Sequence, residues 1–377
     1  MIPYGKQCID GEDIQSVIDV LRSDWLTTGP MIELFEKAFA DFVGARYAVA
    51  VNSGTAALHA AMFALGIGSG DEVIVPTMTF VATANCVVFQ GGTPVFADVD
   101  PGTLLIDPAT VESCLSPKTK AIIAVDYAGQ PCDYDKLQDI AKRHNLALVS
   151  DACHSLGGHY KDNPVGILSD INAFSFHPVK HITTGEGGMI TTDDQKLAGR
   201  MRLFRNHGIS TDYRQRKAQR SWFYEMVDLG YNYRITDFQC ALGISQLKKL
   251  PQWIERRREI AHRYDEVFSV LPRINPLPVG SMVFHAYHLY VVRLNLEGTN
   301  LDRGMVFKQL QENGIGVNVH YIPVHLHPFY RSHFKTHPGM CPVAEQAYEE
   351  IISLPMYPGL SDAEQDYVIE MMRRILS

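Results

Sequence analysis

Apolar positions recur at helical spacing near the start of the chain and then change period. Ile14, Val17, Ile18 and Leu21 predict an amphipathic helix that starts after Asp10. Phe35, Ala38, Phe39 and Phe42 repeat the pattern and predict a second. From residue 47 onward, short apolar runs alternate with helical patterns. The runs are 47–51 (YAVAV), 73–75 (VIV), 95–97 (VFA), 121–125 (AIIAV), 146–149 (LALV), 171–176 (INAFSF) and 188–191 (GMIT). Strands of this kind, buried on both faces, belong to a mostly parallel sheet covered by helices. A long helix is expected from about Thr236, where Thr236 and Gln239 fit a capping box. Phe238, Leu242, Leu247 and Leu250 carry its stripe, and Pro251 is expected to kink or interrupt it. Beyond residue 250 a shorter strand pattern at 289–294 (LYVVRL) and two further helical patterns predict a smaller α+β domain.

The fold class is therefore α/β, with a large domain over 1–250, including the N-terminal helix, and a small one over 251–377. A chain of 377 residues favours two domains, because single cores stop growing at roughly 250–300 residues. Hydrophobic residues at 46% and charged residues at 20% exclude disorder as the general state. A net charge of −8 opposes a broad nucleic-acid surface, yet a few local donors can still hold a phosphate. The start, MIPYGKQCIDGEDI, has no basic segment followed by an apolar one, so no signal peptide is read. The longest uncharged stretch, 73–97, is broken by Pro76, Gly91, Gly92 and Pro94, which suits buried strand–helix–strand better than a membrane span. Seven scattered Cys with no CxxC pair suggest reduced thiols in a cytoplasmic protein.

Three segments can carry chemistry. NSGTAAL (52–58) follows a strand and opens a helix. Its small residues let an anion approach the free N–H groups of the first turn, although Ser53 or Thr55 could simply cap the helix. LALVSDACH (146–154) puts Asp151 at the C-terminal end of an apolar run, where open α/β sheets bind ligands; a capping Asp is the plainer alternative. AFSFHPVKHITTGEGG (173–188) embeds Lys180 among apolar, hydroxyl and Gly residues. A desolvated Lys favours its neutral, nucleophilic amine, whereas an ordinary loop Lys does not. Pyridoxal phosphate (PLP) asks a protein for an amine, an acid for the pyridine nitrogen, an anion cradle and a stacking side chain. Lys180 and Asp151 can supply the first two, Gly54, Thr55 and Ser175 the cradle, and Phe80 in PTMTF the stack.

NSGTAAL, PTMTFVATAN, DACHSLGG, SFHPVKHITTGEGG and GYNYRITDFQCALG together resemble the DegT/DnrJ/EryC1/StrS family of nucleotide-sugar aminotransferases. The resemblance covers nearly the whole chain and implies a fold-type-I PLP-dependent transferase. It implies a covalent link from the cofactor to Lys180, pairing of Asp151 with the pyridine nitrogen, and His154 and Phe80 beside the ring. It further implies Gly54, Thr55 and Ser175 on the phosphate, with Asn232 of GYNY reaching that phosphate from a neighbouring subunit in a homodimer. Within the family, VDYAGQP, QCALGISQLKKLP and VHYIPVH resemble the C4 aminotransferases of pseudaminic acid biosynthesis. That subgroup acts on UDP-4-keto-6-deoxy-N-acetyl-β-L-altrosamine with glutamate as donor, so a nucleotide sugar and glutamate/2-oxoglutarate are the implied partners. Leu105 stands where many relatives show Asn.

Arg234 is a candidate for a carboxylate or diphosphate, with a structural ion pair as the alternative. His320 and Tyr321 in VHYIP are candidates for contact with the sugar nucleotide, with a core or turn role as the alternative. His177 and His181 are four apart, but Pro178 opposes a helix and no Glu follows, so no metal site is expected. His320, His325, His327, His333 and His337 are expected in solvated loop, since Pro323, Pro328 and Pro338 surround them. The rival functions are an aminotransferase for another nucleotide-linked keto sugar, a sugar dehydratase, and a non-catalytic PLP-binding regulator on the same fold.

Overall fold

A computed structural model describes residues 1–211, 213–218 and 220–377. Its first strands are β1 (Tyr47–Val51), β2 (Glu72–Pro76), β3 (Thr93–Ala97), β4 (Thr119–Val125) and β5 (Ala147–Asp151). β6 (His159–Tyr160) and β7 (Asn163–Pro164) form a small ribbon that β11 (Val283–Phe284) completes. β8 (Ile171–Ser175) and β9 (Gly188–Thr192) return to the main sheet. β10 (Ile274–Pro276), β12 (Tyr290–Leu294) and β13 (Ile351–Leu354) make a separate antiparallel sheet.

The main sheet has the order β1-β9-β8-β5-β4-β2-β3. Its pairs are parallel from β8 through β5, β4 and β2 to β3, and only β9 runs antiparallel to its neighbours. The continuous apolar runs have the burial they predicted: β9 is buried throughout, and β1, β2 and β5 at every position but the first. Register aligns the strand ends. β5 and β8 pair with Asp151 opposite Ala173, so the carboxyl end of β5 lies beside the middle of β8, which runs two residues further to Ser175. Strand alternation then separates the neighbours of Ser175. Phe174 and Phe176 pack on the helix Pro30–Val43, with Phe39 5.0 Å from Phe174 and Phe35 5.4 Å from Phe176, ring centre to ring centre.

One helix, Asp237–Phe268, serves two cores. At 1.5 Å per residue its 32 residues span about 48 Å. Cys240, Leu247, Leu250 and Ile254 join the core of the main sheet. Ile260, Ala261, Tyr264 and Phe268 join a second core with β10, β12, β13 and the helices Arg303–Glu312 and Asp362–Leu376. Residue 250 lies midway along it, near the point where its buried face passes from one core to the other.

Two expectations about helices need correction. The long helix runs through Pro251 without ending, because buried residues on both sides anchor each half. In Gly11–Leu21 the packed residues are Asp13 and Val20, while Ile14 and Leu21 are exposed. Asp13 is drawn inward by charge: Lys249 Nζ lies 3.0 Å from its Oδ1, and Gln246 Nε2 donates to its Oδ2 at 2.7 Å. Similarly Phe35 and Phe39 are buried, but Phe42 of the same stripe is exposed.

The long helix also caps another element. Gly29, at the N-cap of Pro30–Val43, has no side chain to offer. Asp237, fully buried, accepts from the N–H groups of Gly29 (2.8 Å) and Met31 (3.0 Å) instead. A Cβ at Gly29 would sit 2.5 Å from Asp237 Oδ1, so the bare backbone is a condition of that contact. Asp237→Ala should therefore destabilise the fold by about 1–3 kcal/mol, the cost of leaving buried donors unpaired. Chemical denaturation measures it, and a loss below about 0.5 kcal/mol would contradict the capping role.

Candidate active site

The carboxyl ends of β2, β4, β5 and β8 open onto a cavity of about 540 Å³. Of the residues read as candidates, Gly54, Thr55, Phe80, Asp151, His154, Ser175, Lys180, His320 and Tyr321 all line it. This is the crevice where an open α/β sheet places its ligands. The loops that follow the strands supply the reactive groups, so one short turn decides the position of each.

Gly54–Leu65 begins at the cavity. Ser53 Oγ accepts from Ala56 N–H at 3.0 Å and caps the helix, so capping and an open first turn coexist here. Gly54 is buried, and a Cβ there would lie 2.8 Å from Ser175 Cβ and 3.3 Å from Cys153 Sγ. Absence of that carbon lets the first turn of the helix lie directly against Ser175, so that Gly54, Thr55 and Ser175 line the same part of the cavity.

Asp151 is buried and held from two sides. Thr83 Oγ1 donates to its Oδ2 at 2.6 Å, and Thr79 Oγ1 lies 2.8 Å from Thr83 Oγ1. The N–H of Cys153 reaches Oδ1 at 3.3 Å. Behind it Asp126 accepts from Ser155 Oγ (2.6 Å), Tyr134 OH (2.9 Å) and Cys132 N–H (3.0 Å). Burial pushes the Asp126 carboxyl up to about 6, against those hydrogen bonds. Ser155 belongs to the same turn as Asp151 and His154, so Asp126 braces that turn from below.

Lys180 follows β8 in a turn, and its Nζ lies 3.4 Å from His288 Nε2. Burial lowers its amine below the ordinary lysine value, while Cys153 and Asp151 pull the other way. Burial also holds the nearby imidazoles neutral. His154 and His288 are driven well below the usual histidine range, with Lys180 adding to the effect, and His320 falls to about 3. Tyr321 OH lies 3.1 Å from His154 Nε2, and the Phe80 and Tyr321 rings are 6.0 Å apart. Phe80 is half exposed at the cavity rim, 56% by area.

Two candidates lie elsewhere. Asn232 is exposed, and its carbonyl accepts from Asn52 Nδ2 at 3.4 Å. Arg234 donates from Nη1 to Asn206 Oδ1 at 2.9 Å and lines a different depression with Arg202, Arg205 and Arg214. The histidine-rich segment also needs correction. His320 and His325 are buried rather than solvated, since each finds a partner inside. His320 Nδ1 lies 2.8 Å from Ser353 Oγ, and His325 Nε2 lies 2.9 Å from Glu345 Oε1. His333 and His337 are exposed as expected. Among the described residues no three His, Cys, Asp or Glu are placed to share a metal ion. The described helices include none long and apolar enough to cross a membrane.

Sequence reasoning missed Tyr4, Thr83, His288 and Asn318. Tyr4, His288 and Asn318 line the cavity, and Thr83 sits behind Asp151. Thr83 was legible in principle, three positions after Phe80 on the helix Val81–Phe89. Tyr4 and His288 come from chain outside the motifs and carry no local signal, while Asn318 stands directly before VHYIPVH and was within reach of that motif.

The donor set fits PLP. His154 Nδ1 and His288 Nδ1 are buried without a hydrogen-bond partner among the described residues. Such atoms cost free energy unless a ligand meets them. The helix start at Gly54 and Thr55, beside Ser175, suits a phosphate, Asp151 lines the cavity wall, and Lys180 offers a dry amine.

Comparison with known proteins gives the same reading. The model of the DegT/DnrJ/EryC1/StrS aminotransferase family matches residues 7–373. The spore coat polysaccharide biosynthesis protein SpsC of Bacillus subtilis is 44% identical over 377 residues, covering 100% of this chain and 97% of its own. A putative sugar aminotransferase of Streptococcus pneumoniae, Spr1654, solved in PMP and PLP forms, superposes in the former with a TM-score of 0.94 at 35% identity; 100% of this chain and 99% of that one are covered. Helicobacter pylori PseC, an aminotransferase involved in pseudaminic acid biosynthesis, superposes with a TM-score of 0.92 at 34% identity, with 100% and 99% covered. With family, fold and donor set in agreement, the chain belongs to the DegT/DnrJ/EryC1/StrS aminotransferase family and is a PLP-dependent aminotransferase of fold type I.

Proposed function

We propose that the protein moves an amino group from glutamate to the C4 ketone of a UDP-linked 4-keto-6-deoxy-N-acetylhexosamine, for surface glycan synthesis. The leading acceptor is UDP-4-keto-6-deoxy-N-acetyl-β-L-altrosamine. The observation that carries this reading is the convergence of Lys180, Asp151, Gly54, Thr55 and Ser175 on one cavity. The likeness to PseC supports a pseudaminic-acid-type acceptor. The likeness to SpsC, at higher identity, supports a second reading: another nucleotide-linked keto sugar destined for a polysaccharide.

Lys180 would hold PLP covalently, Gly54, Thr55 and Ser175 would hold its phosphate, and Phe80 and His154 would flank its ring. Bound there, PLP supplies an electron sink for loss of the proton from the donor Cα. Asp151 would keep the pyridine nitrogen protonated; opposite charges ~4 Å apart at an effective dielectric near 20 attract by ~4 kcal/mol before desolvation. Its clamp by Thr83 fixes which oxygen faces the cavity. Lys180 Nζ would take the Cα proton and pass it to the cofactor in the first half-reaction, and would carry it from there to the sugar C4 in the second. Its lowered pKa serves both tasks, since the base form is populated nearer neutral pH. His320 and Tyr321, which line the cavity, would meet the sugar.

The working unit is a homodimer in this reading. Trp222, Met226 and Leu229 are 86%, 65% and 67% exposed on the segment leading to Asn232. Apolar groups clustered in water call for a cover. A second copy would cover them and carry Asn232 and Arg234 toward its partner's cavity. Seven free thiols suit a reducing, cytoplasmic setting.

An amino-transfer assay with glutamate across UDP-, GDP- and dTDP-4-keto-6-deoxy sugars tests the acceptor. The expected result is C4 amination of the UDP-altrosamine derivative with kcat/KM at least ~10-fold above the others, ~1.4 kcal/mol of discrimination. Preference for a dTDP or GDP sugar would overturn the choice of acceptor. Lys180→Ala should abolish the absorbance of the lysine-bound cofactor and reduce turnover by roughly 10³-fold or more; turnover at the wild-type rate rejects the role of Lys180. Gly54→Ala should weaken PLP affinity by about tenfold in a spectral titration of the apoenzyme, because the new methyl, 2.8 Å from Ser175 Cβ, would push apart the helix start and Ser175 that hold the phosphate. Unchanged affinity would move the phosphate elsewhere.

A further inference from the structure

His288 faces the reacting amine from an element that none of the family-like motifs includes. It lies 108 residues beyond Lys180 in sequence, just before β12, yet its Nε2 is 3.4 Å from Lys180 Nζ. The side chain is 4% exposed, and its Nδ1 is buried without a partner among the described residues. Its ring centre is 4.3 Å from that of His154 and 5.6 Å from that of His181.

The backbone around it is clamped on several sides. Ala286 N–H donates to Gly129 O at 2.9 Å, and Leu289 N–H donates to Ala128 O at 3.1 Å. Arg257, buried in the long helix, donates from Nη1 to the carbonyls of Tyr287 (3.0 Å), His288 (3.3 Å) and Met356 (3.0 Å). His181 Nε2 lies 3.0 Å from Ala286 O and donates to it. Gly129, at φ 106°, has no side chain because a Cβ would lie 2.8 Å from both His154 O and His288 N. So many restraints on one short loop fix the imidazole in place. A histidine that only filled space would not need its Nε2 aimed at an amine.

We propose that His288 is a positioning residue for Lys180: its Nε2 accepts a hydrogen bond from the Lys180 amine whenever that amine is not bonded to the cofactor. The freed amine is a flexible chain end that must return to one spot between proton transfers. An acceptor on a rigid loop removes that search. The neighbours cannot easily replace it. Asp151 is held by Thr83 and Cys153 N–H, and His154 Nε2 is engaged with Tyr321 OH. A hydrogen bond to the amine favours the ammonium form, so it moderates the effect of burial. The ionisable groups facing this pair are Asp151, Cys153, His154, His181 and His320, with Arg257 on the far side of the His288 backbone.

The proposal rests on Lys180 being the cofactor-bearing residue, and capture of PLP by the full-length apoenzyme tests both. In capture, Nζ bonds to the aldehyde carbon, and the aldehyde oxygen leaves as water with the two amine protons. The rate is followed by absorbance from pH 6 to 10, beside the melting temperature. In His288→Leu the plateau rate should fall on the order of tenfold or more, and the midpoint of the pH profile should move down by about one unit, since the ammonium loses its acceptor. His288→Gln, whose Oε1 can accept in place of Nε2, should recover the plateau to within about threefold. A wild-type plateau and midpoint in His288→Leu overturns the proposal. So does an equal loss in both variants with a matching fall in melting temperature, the mark of a merely structural histidine. Lys180→Ala serves as the blank; capture at the wild-type rate there removes Lys180 from its role and leaves His288 with no amine to position.

Discussion

An amine kept out of water beside a carboxylate is the condition on which this structure turns. Burial disfavours the charged form of Lys180, and the attraction of Asp151 and Cys153 only partly offsets it. In bulk solvent the same side chain would stay protonated and unreactive at neutral pH. The surroundings maintain the condition by offering few charges. The imidazoles of His154, His288 and His320 are all neutral, so they provide polar contacts without competing for the amine as anions would.

The rest of the fold supports that pocket. Parallel pairing of β5 with β8 sets Asp151 opposite Ala173, two residues before β8 ends, and both strands run out on the side of the cavity that Asp151 and Lys180 line. Phe174 and Phe176 bury themselves on one side of β8 and leave Ser175 on the other, at the cavity. Asp126 braces the turn that carries Asp151, His154 and Ser155. Each link is a buried hydrogen bond or a close packing contact, and such contacts tolerate little displacement.

The C-terminal third closes the pocket. His288, Asn318, His320 and Tyr321 reach the cavity from beyond residue 280. The long helix makes their arrival reproducible, because it is packed in both cores and because Arg257 ties three separate carbonyls together. Pro251 does not interrupt it; tertiary packing on both flanks outweighs the local preference. The N-terminal helix teaches the same lesson in reverse. Ile14 and Leu21 of its apolar stripe are left exposed, Val17 and Ile18 are only half-buried, and Asp13 is held inside by Lys249 and Gln246.

The sequence alone determined the main sheet, since uninterrupted apolar runs can only be strands or helices buried on both faces, and their lengths suit strands. It also determined most of the candidate site. Gly54, Asp151, Ser175 and Lys180 each sit in a short motif where local chemistry and strand ends coincide. What it could not determine were contacts made across long separations. His288 beside Lys180, Thr83 on Asp151, and the burial of His320 and His325 depend on where the chain returns. Local pattern records the period of an element and the needs of its ends. It does not record which side chain, a hundred residues away, will meet a given atom, because that is settled by the packing of whole layers.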